Sequence, residues 1–251
     1  LGPLIRSLFL PESGCKWGCF DYSQQEPRLV VHYASLDQDT SAFSVKDSYL
    51  NSNADFHTIV AKMADIPREQ AKVINLGLFY GMGKAKLQAE LGVSKEKAEE
   101  LFLIYHSRVP FVKNLMKSVS NRAQQRGQIR TLLGRLCRFH LWEPNQFGMH
   151  RALPFEQAVQ EHGSGIRRAY TYKALNKLIQ GSAADMTKKS MLDLYKEGVV
   201  AHIQIHDELD LSIESDEKVK KIVEIMENAV KLEVPNKVDY ESGENWGDIY
   251  D

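Results

Sequence analysis

The sequence lacks the features that define several large classes of protein. Its 251 residues include 3 cysteines, too few for the disulfide framework of a small secreted domain. No apolar run approaches the roughly 20 residues needed to cross a bilayer, and the first residues are not expected to be a signal peptide. Neither sign of charge dominates, because 32 Lys and Arg face 33 Asp and Glu. We therefore expect no membrane partner, and any surface for nucleic acid must be a local patch.

The cysteines also offer little for a metal site. Cys15 and Cys19 flank the tripeptide KWG, but a structural zinc site takes about four ligands and no second Cys/His pair lies nearby in the sequence. We interpret the cysteines as free thiols in a reducing compartment.

Two kinds of segment alternate along the chain. Residues 1–35 and about 198–251 are strand-like, with short apolar runs beside Gly and Pro. The stretch between them is mostly helical, apart from 140–167, which has weak periodicity and is predicted as loop and short helix. This pattern predicts a small α+β core interrupted by a helical insertion, with the first and last segments meeting in space.

Capping and breaking residues mark the ends of the predicted helices. Ser94 is placed as an N-cap, and a helix after Pro110 is expected to stop at Gly127. A further helix over 173–197 is expected to be interrupted at Gly181.

The segment AHIQIHDELDLSI at 201–213 carries acids inside an apolar alternation. In one continuous strand, Ile203, Ile205 and Leu209 would share a face with Asp207. A lone carboxylate among aliphatic side chains costs free energy or shifts its pKa. We therefore expect Asp207 to lie in the tight turn of a hairpin, to face a positive charge, or both.

A second isolated carboxylate occurs in WGCFDYSQQE at 17–26, where a short apolar strand ends on Asp21. Carboxylates delivered by two strands can hold divalent cations that clamp the oxygens of a phosphoryl transfer, and Mg²⁺ suits such a site. Paired acids are also commonly solvated or salt-bridged. Glu26 follows Ser23 at capping-box spacing, which by itself explains that residue.

A third pattern lies in DIPREQAKVINLGLFYGMG at 65–83. Arg68, Lys72, Leu76 and Tyr80 recur every four residues and so line one helical face. The cations lie in the N-terminal half, where the helix dipole also favours anions, so a polyphosphate with a base or sugar beside Tyr80 would fit. An amphipathic helix with solvated cations fits the periodicity equally well.

A local positive stripe follows in RAQQRGQIRTLLGRLCR. Such a stripe suits a phosphate backbone, although a solvated face is the commoner meaning of a charge run. Its members are Arg122, Arg126, Arg130, Arg135 and Arg138.

Taken together, these segments resemble the three polymerase motifs of family A DNA polymerases, the bacterial DNA polymerase I class, in variants most like those of phage. DYSQQEPR from Asp21 resembles motif A, the 68–81 pattern resembles motif B, and HDE at 206–208 resembles motif C. QGSAAD at 180–185 and GENW at 243–246 are also similar to family segments. The motifs occur in the family order and cover nearly the whole chain.

The resemblance implies an α+β fold. An antiparallel sheet with packed helices would form the palm from residues 1–36 and 167–251. A mainly helical fingers subdomain would occupy 37–166, with the motif B helix at about 67–81. Because the chain begins just upstream of motif A, thumb and exonuclease domains are expected to be absent.

The resemblance also implies template-directed DNA synthesis, in which a nucleotide passes from a dNTP to a primer 3′-hydroxyl and pyrophosphate is released. Two Mg²⁺ ions, with Mn²⁺ as a substitute, would be held by Asp21, Asp207 and the Tyr22 carbonyl. Glu208 would have a secondary metal or structural role. Lys72 would protonate the leaving group.

Further roles come with the same resemblance. Glu26 would be the steric gate against a ribose 2′-hydroxyl, and Leu76 stands where the family usually has Phe or Tyr near the sugar. The residues expected to bind the dNTP are Gln24, Glu26, His57, Arg68, Lys72, Leu76 and Tyr80. Those expected to contact DNA are Arg28, Arg130, Arg135, Asn176, Gln180 and His206.

The expected partners are primer–template DNA and dNTPs. A further expected partner is a missing N-terminal part with the thumb and exonuclease domains, or a processivity factor. The expected location is the cytoplasm of a bacterial or phage-infected cell. One alternative is an incomplete DNA- or dNTP-binding module, inactive without a thumb. A two-metal nuclease is a weaker one, because hydrolysis needs no triphosphate cradle such as the helix of Arg68 and Lys72.

Overall fold

The computed structural model describes residues 2–52, 55–79, 82–146, 148 and 150–249. The chain divides into two compact units. Unit 1 contains Leu1–Leu29 and Ala183–Asp251, and unit 2 is Val30–Ser182. The first and last segments therefore belong to one unit, as the strand-like composition of both ends predicts.

Unit 1 is built on a four-stranded antiparallel sheet in the order β7-β8-β1-β9. In β1, Cys19 pairs with Asp210 and Asp21 pairs with Glu208. On its other side, Asp21 pairs with Asp239. The strands are β1 Lys16–Tyr22, β7 Ile203–Ile205, β8 Glu208–Ile213 and β9 Val238–Gly243.

The predicted hairpin is confirmed, and its turn changes which side chains share a face compared with one continuous strand. Ile203 pairs with Asp210 and Ile205 pairs with Glu208, with the turn at residues 206–207. Directly paired residues of an antiparallel sheet share a face. The two-residue turn therefore puts Ile203 and Ile205 on the face of the acids, away from Leu209.

The opposite face of the sheet carries an apolar cluster. Six of its apolar side chains are buried, whereas Gln204 and Ser242 on the same face are exposed. The buried members are Phe20, Tyr22, Leu209, Leu211, Ile213 and Val238.

Helices complete unit 1. Ser215 N-caps α11 by accepting a hydrogen bond from the backbone N–H of Lys218. Tyr22 ties the sheet to two helices, because its hydroxyl bonds the Ser190 hydroxyl at 2.6 Å and the Met226 carbonyl at 2.5 Å. The helices are α1 Gly2–Arg6, α2 Gln25–Leu36, α10 Ala174–Lys196 and α11 Asp216–Asn228, of which α2 and α10 continue into unit 2.

Unit 2 is mainly helical, and its helix ends follow the predicted signals. The Ser94 side chain accepts from the Lys97 N–H, and Gly127 ends α8 with a φ of 68°. Besides the shared α2 and α10, its helices are α3 Phe43–Ser52, α4 Phe56–Ala64, α5 Arg68–Phe79, α6 Lys84–Leu91, α7 Lys95–Arg108, α8 Pro110–Arg126 and α9 Phe155–His162.

Two small sheets accompany these helices. The β2–β3 hairpin follows α8, and β5-β4-β6 form a three-stranded sheet. The prediction of loop and short helix for 140–167 is thus wrong in part, since very short strands carry little periodicity. The strands are β2 Gln128–Arg130, β3 Leu136–Arg138, β4 Leu141–Pro144, β5 Leu153–Pro154 and β6 Ile166–Arg168.

The predicted interruption at Gly181 is also wrong, because α10 runs unbroken through it. The glycine serves close packing. A Cβ at this position would lie 2.6 Å from Thr131 Cγ2, and Arg135 donates a hydrogen bond to the Gly181 carbonyl at 2.6 Å. Among the described residues, no helix combines the length and the apolar character that a membrane span requires.

Candidate active site

One face of the unit 1 sheet is strongly acidic. The pairings of β1 with β8 and β9 place on it Cys19, Asp21, Glu208, Asp210, Asp239 and Glu241. We call these six residues the acidic sheet face. Like charges directly opposite one another destabilise a sheet, so a nearby cation would stabilise it.

Asp21 lies at the end of β1, and its side chain is exposed. Partial desolvation nevertheless raises the pKa of Asp21 to about 7, and the negative charges of Asp207, Glu208 and Asp239 raise it further toward that value. The protonated form is favoured because bringing these carboxylates together is costly without a counter-charge.

Asp207 lies half-buried in the β7–β8 turn. Burial raises the pKa of Asp207, and the charge of Glu208 adds to this rise. A hydrogen bond from its own backbone N–H and the charge of His206 oppose it. Glu26, in the first turn of α2, belongs to the same cluster, because its carboxyl feels the charge of Asp207. Burial is the larger cause and the charge of Asp207 the next, and together they raise the pKa of Glu26 to about 7.

The turn itself is held by backbone contacts. His206 has a φ of 51°, in the left-handed region, and its carbonyl accepts from Gln204 Nε2 at 2.7 Å. The Tyr22 N–H donates to the Asp207 carbonyl at 3.3 Å. This bond holds the end of β1 against the turn, and with it Asp21.

These donors fit a hard divalent cation. Asp21, Asp207 and Glu208 offer only carboxylate oxygens, and the pKa of Asp21 is raised by the other two. Mg²⁺ prefers oxygen ligands and needs few carboxylates when substrate phosphates and waters complete its shell. The donor set and its mutual repulsion therefore suit Mg²⁺.

Unit 2 carries the predicted phosphate-binding helix, α5. Arg68, Lys72 and Leu76 are exposed on one face of it, as the four-residue spacing predicts, while Ile74 and Leu78 are buried on another. Tyr80 lies outside the described residues.

Arg68 is ion-paired in this structure. Its Nε donates to Asp55 Oδ2 at 2.7 Å, and Asp55 also caps α4 through the Thr58 N–H. The hydrogen bonds from Thr58 and Arg68 outweigh desolvation and hold the pKa of Asp55 below its usual range. With its side chain 49% exposed, Arg68 forms a surface pair, typically worth about 1 kcal/mol or less. A polyanion can therefore compete for it.

His57 is buried, and its Nδ1 lies 3.0 Å from Asn75 Nδ2. Burial lowers the pKa of His57, which favours the neutral ring. Sequence reasoning missed Asn75. The available signal was a polar residue among the buried positions Ala71, Ile74 and Leu78 of the α5 face.

The predicted DNA contacts in unit 2 lie on two elements. Asn176 and Gln180 are one turn apart on α10, with Gln180 exposed. Arg130 Nη1 donates to the Gly134 carbonyl at 3.0 Å. In the positive stripe, Arg122 is ion-paired with Asp37 at 3.0 Å. Arg122 is therefore partly neutralised within the unit.

Arg28 requires a correction. Its side chain is 1% exposed and donates to the Ser23 carbonyl at 2.8 Å and the Pro235 carbonyl at 2.5 Å. It ties the start of α2 to the segment before β9, so we do not retain it as a DNA contact. Gln24, half-buried with a φ of 55°, directly precedes α2.

Comparison with known proteins shows the family to which the chain is similar. The model of "DNA polymerase family A" matches residues 1–248. A DNA-directed DNA polymerase of Pseudomonas phage M6 is 35% identical over 284 residues, covering 96% of this chain and 40% of that protein. DNA polymerase I of Bacillus caldotenax is 34% identical, covering 98% of this chain and 28% of that protein.

A solved structure is also similar. The POL domain of Pol1 from M. smegmatis, in complex with DNA primer-template and dNTP, matches with a TM-score of 0.77 and 27% identity. The match covers 100% of this chain and 43% of that one. The chain thus spans less than half the length of these relatives.

Proposed function

Because the chain belongs to DNA polymerase family A, we propose that it forms the catalytic core of template-directed DNA synthesis. The reaction joins the α-phosphate of a dNTP to a primer 3′-hydroxyl and releases pyrophosphate. The observation that carries this proposal is the gathering of Asp21, Asp207 and Glu208 at one end of the unit 1 sheet, with the pKa of Asp21 raised to about 7. Perturbed carboxylates of this kind are typical of functional sites.

Asp21, Asp207 and the Tyr22 carbonyl would hold two Mg²⁺ ions, with Glu208 in a secondary role and Mn²⁺ as a substitute. When bound, such ions supply Lewis-acid activation of the attacking hydroxyl and neutralise charge on the triphosphate. The carboxylates must be ionised to bind them. Bound Mg²⁺ would therefore lower the pKa of Asp21 again.

Glu26 would act as the steric gate for the sugar. Its position beside Asp207 in charge contact supports this role, since the nucleotide must approach the same carboxylates. Gln24 would contact the nucleotide from the neighbouring position. The position of Glu26 in the first turn of α2 is compatible with a capping role as well.

Arg68 and Lys72 would bind the triphosphate from the exposed face of α5, and Lys72 would donate a proton to the departing pyrophosphate. Arg68 would leave Asp55 for the phosphate, an exchange that costs little at an exposed pair. His57 would hydrogen-bond the same group. Leu76 and Tyr80 would lie toward the sugar and base.

Each unit carries side chains that we propose as contacts for the primer–template. Arg130 and Arg135 would bind the phosphate backbone, and Asn176, Gln180 and His206 would lie near the nascent pair. Residues 1–36 and 167–251 would then form the palm and 37–166 the fingers. We expect the protein to act in the cytoplasm of a bacterial or phage-infected cell.

A second candidate is an incomplete binding module for DNA or dNTP. Such a module would need a thumb-containing part or a processivity partner to hold the primer–template.

Primer extension separates these functions. A primed single-stranded template, Mg²⁺ and four dNTPs would be incubated with the chain, with Asp207→Asn and with Asp216→Asn, an exposed acid at the start of α11. We expect template-dependent extension that is lost only in Asp207→Asn. A folded chain that binds dNTP or DNA without extending would favour the module, and shortening of the primer would indicate a nuclease.

A further inference from the structure

A second group of potential ligands lies deeper on the acidic sheet face. Cys19 Sγ and carboxylate oxygens of Glu208 and Asp210 all lie within 4.8 Å of one another. The strand register causes this meeting, because Cys19 is directly opposite Asp210 and Glu208 is two residues along β8 on the same face.

The Asp210 carboxyl is buried within the sheet. Its side chain is 0% exposed, and neither carboxylate oxygen has a hydrogen-bond partner among the residues that the structure describes. An unpartnered buried carboxylate is costly. Burial raises the pKa of Asp210 to about 7, the Cys19 thiol opposes this rise, and the charge of Glu208 increases it.

The Cys19 thiol is similarly constrained. It is 3% exposed, and burial together with contact with Asp210 raises its pKa far above the ordinary value. The thiol and the two carboxyl groups lie close enough together to share one ion. A bound metal ion would stabilise the thiolate and both carboxylates at once.

We propose that Cys19, Glu208 and Asp210 form a binding site for a thiophilic divalent cation of the Zn²⁺ class. A thiolate with two carboxylates suits Zn²⁺, with a fourth position open, and disfavours Mg²⁺, which takes oxygen ligands. Binding forms a metal–sulfur bond and releases the thiol proton to solvent, with the proton of Asp210 where that is present.

The site differs from the donors proposed for Mg²⁺ in Cys19 and Asp210. Cys19 is two residues before Asp21 on β1, about 7 Å along a strand. Glu208 lies between the two groups and is the one shared residue. The cation would also join β1 to β8 beside the β7–β8 turn, so its binding would stabilise the sheet whether or not the chain is a polymerase.

Arg6 supplies a competing explanation. Its positive charge lowers the pKa of Asp210, and its guanidinium lies 5.2 Å from the Trp246 ring centroid. If the cluster only balances Arg6, it will not bind a metal.

The test uses Cd²⁺ as the probe, because a cadmium–thiolate bond gives a charge-transfer absorption that oxygen ligands do not. The starting protein is the chain with Cys15→Ser and Cys137→Ser, which removes the other two cysteines. Excess Mg²⁺ would occupy the donors proposed for it, Asp21 and Asp207. We expect one Cd²⁺ per chain with the thiolate band, competed by Zn²⁺, and a raised unfolding temperature.

Three variants in that background decide the assignment. Cys19→Ser should abolish the band, and Asp210→Asn should weaken Cd²⁺ binding at least about tenfold. Asp207→Asn is the matched control and should retain the band. Where Asp210→Asn fails to fold by circular dichroism, Glu208→Gln takes its place with the same expectation.

No band in the starting protein, or a Cd²⁺ affinity unchanged by loss of the carboxylate ligand, would overturn the site. Loss of primer extension with the band intact would contradict only the proposed polymerase function.

Discussion

At the scale of single residues, Asp207 shows how an acid is accommodated in an apolar hairpin. It lies in the turn between β7 and β8, where it is half-buried, and its pKa is raised by that burial. Asp210, three residues later, lies inside the strand and is completely buried. The same sequence segment therefore places one acid toward a proposed Mg²⁺ site and another in a pocket with a thiol.

Glu26 gives a prediction about sugar selection. Replacing it by Ala should raise ribonucleotide incorporation relative to deoxynucleotide incorporation, because the space for a 2′-hydroxyl would open. Single-turnover incorporation of matched rNTP and dNTP measures the ratio. Glu26→Gln keeps the size of the side chain and should largely keep the discrimination. An unchanged ratio in Glu26→Ala would leave only a capping role for this residue.

The acids also give a prediction about pH. The pKa values of Asp21 and Glu26 are raised to about 7 in the folded chain, so without metal the folded state binds their protons more tightly than the unfolded state. Their contribution to stability is present below their ordinary pKa near 4 and is lost as the pH rises through about 7. When a chelator removes metal ions, the free energy of unfolding should therefore fall as the pH rises through this range.

Urea unfolding at pH 5 and pH 8 measures this loss. Asp21→Asn should reduce the difference between the two pH values, because the amide does not titrate. Added Mg²⁺ should restore stability at pH 8 in the original chain more than in the variant. An equal pH dependence in both proteins would contradict the assignment to Asp21.

At the scale of elements, α10 shows why a glycine within a helix need not interrupt it. Gly181 lies against Thr131 of the segment between β2 and β3, and a Cβ there would lie 2.6 Å from Thr131 Cγ2. Glycine lowers helix propensity by about 1 kcal/mol relative to Ala. Gly181 therefore allows Thr131 to approach the helix closely, and it lowers the stability of the helix itself.

Gly181→Ala should accordingly lower stability despite its better helix propensity, because Thr131 is 4% exposed and has little room to move. Thr131→Ser removes the clashing methyl group and keeps the hydroxyl that donates to the Arg135 carbonyl at 3.3 Å. In the Thr131→Ser background, Gly181→Ala should be neutral or stabilising. Thermal unfolding of the four proteins in this cycle tests the contact, and additive effects would argue against it.

At the scale of the whole molecule, charge is separated although the net formal charge is −1. The acidic sheet face belongs to unit 1, while the β2–β3 hairpin belongs to unit 2 and carries Arg130 and Arg138 on one face. A balanced composition therefore conceals local surfaces of opposite sign.

This separation predicts a salt effect on DNA binding. The double variant Arg130→Ala, Arg138→Ala should weaken binding about equally for all sequences and reduce the slope of log K against log salt by about 0.9 for each lost duplex phosphate contact. Arg122→Ala is the matched control, since Asp37 already pairs with that side chain. Fluorescence anisotropy over a salt series measures the slopes. Equal slopes in all three proteins would mean that the hairpin does not bind the backbone.

Local features were largely predictable from the sequence. The cap at Ser94, the stop at Gly127, the hairpin turn at 206–207 and the exposed face of α5 depend on neighbouring residues or on one helical repeat. The order and identity of the motif residues likewise sufficed to indicate the family. Such properties are encoded within a few residues, so they can be predicted without knowledge of the rest of the fold.

Tertiary structure alone decided which distant side chains meet. Cys19 lies opposite Asp210 because β1 and β8, almost two hundred residues apart, pair in one register, and a shift by one residue would turn one of them to the other face. Arg28 is buried and Gly181 is contacted by Thr131 for the same kind of reason. Long-range pairing and packing depend on the whole chain, and no local pattern reports them.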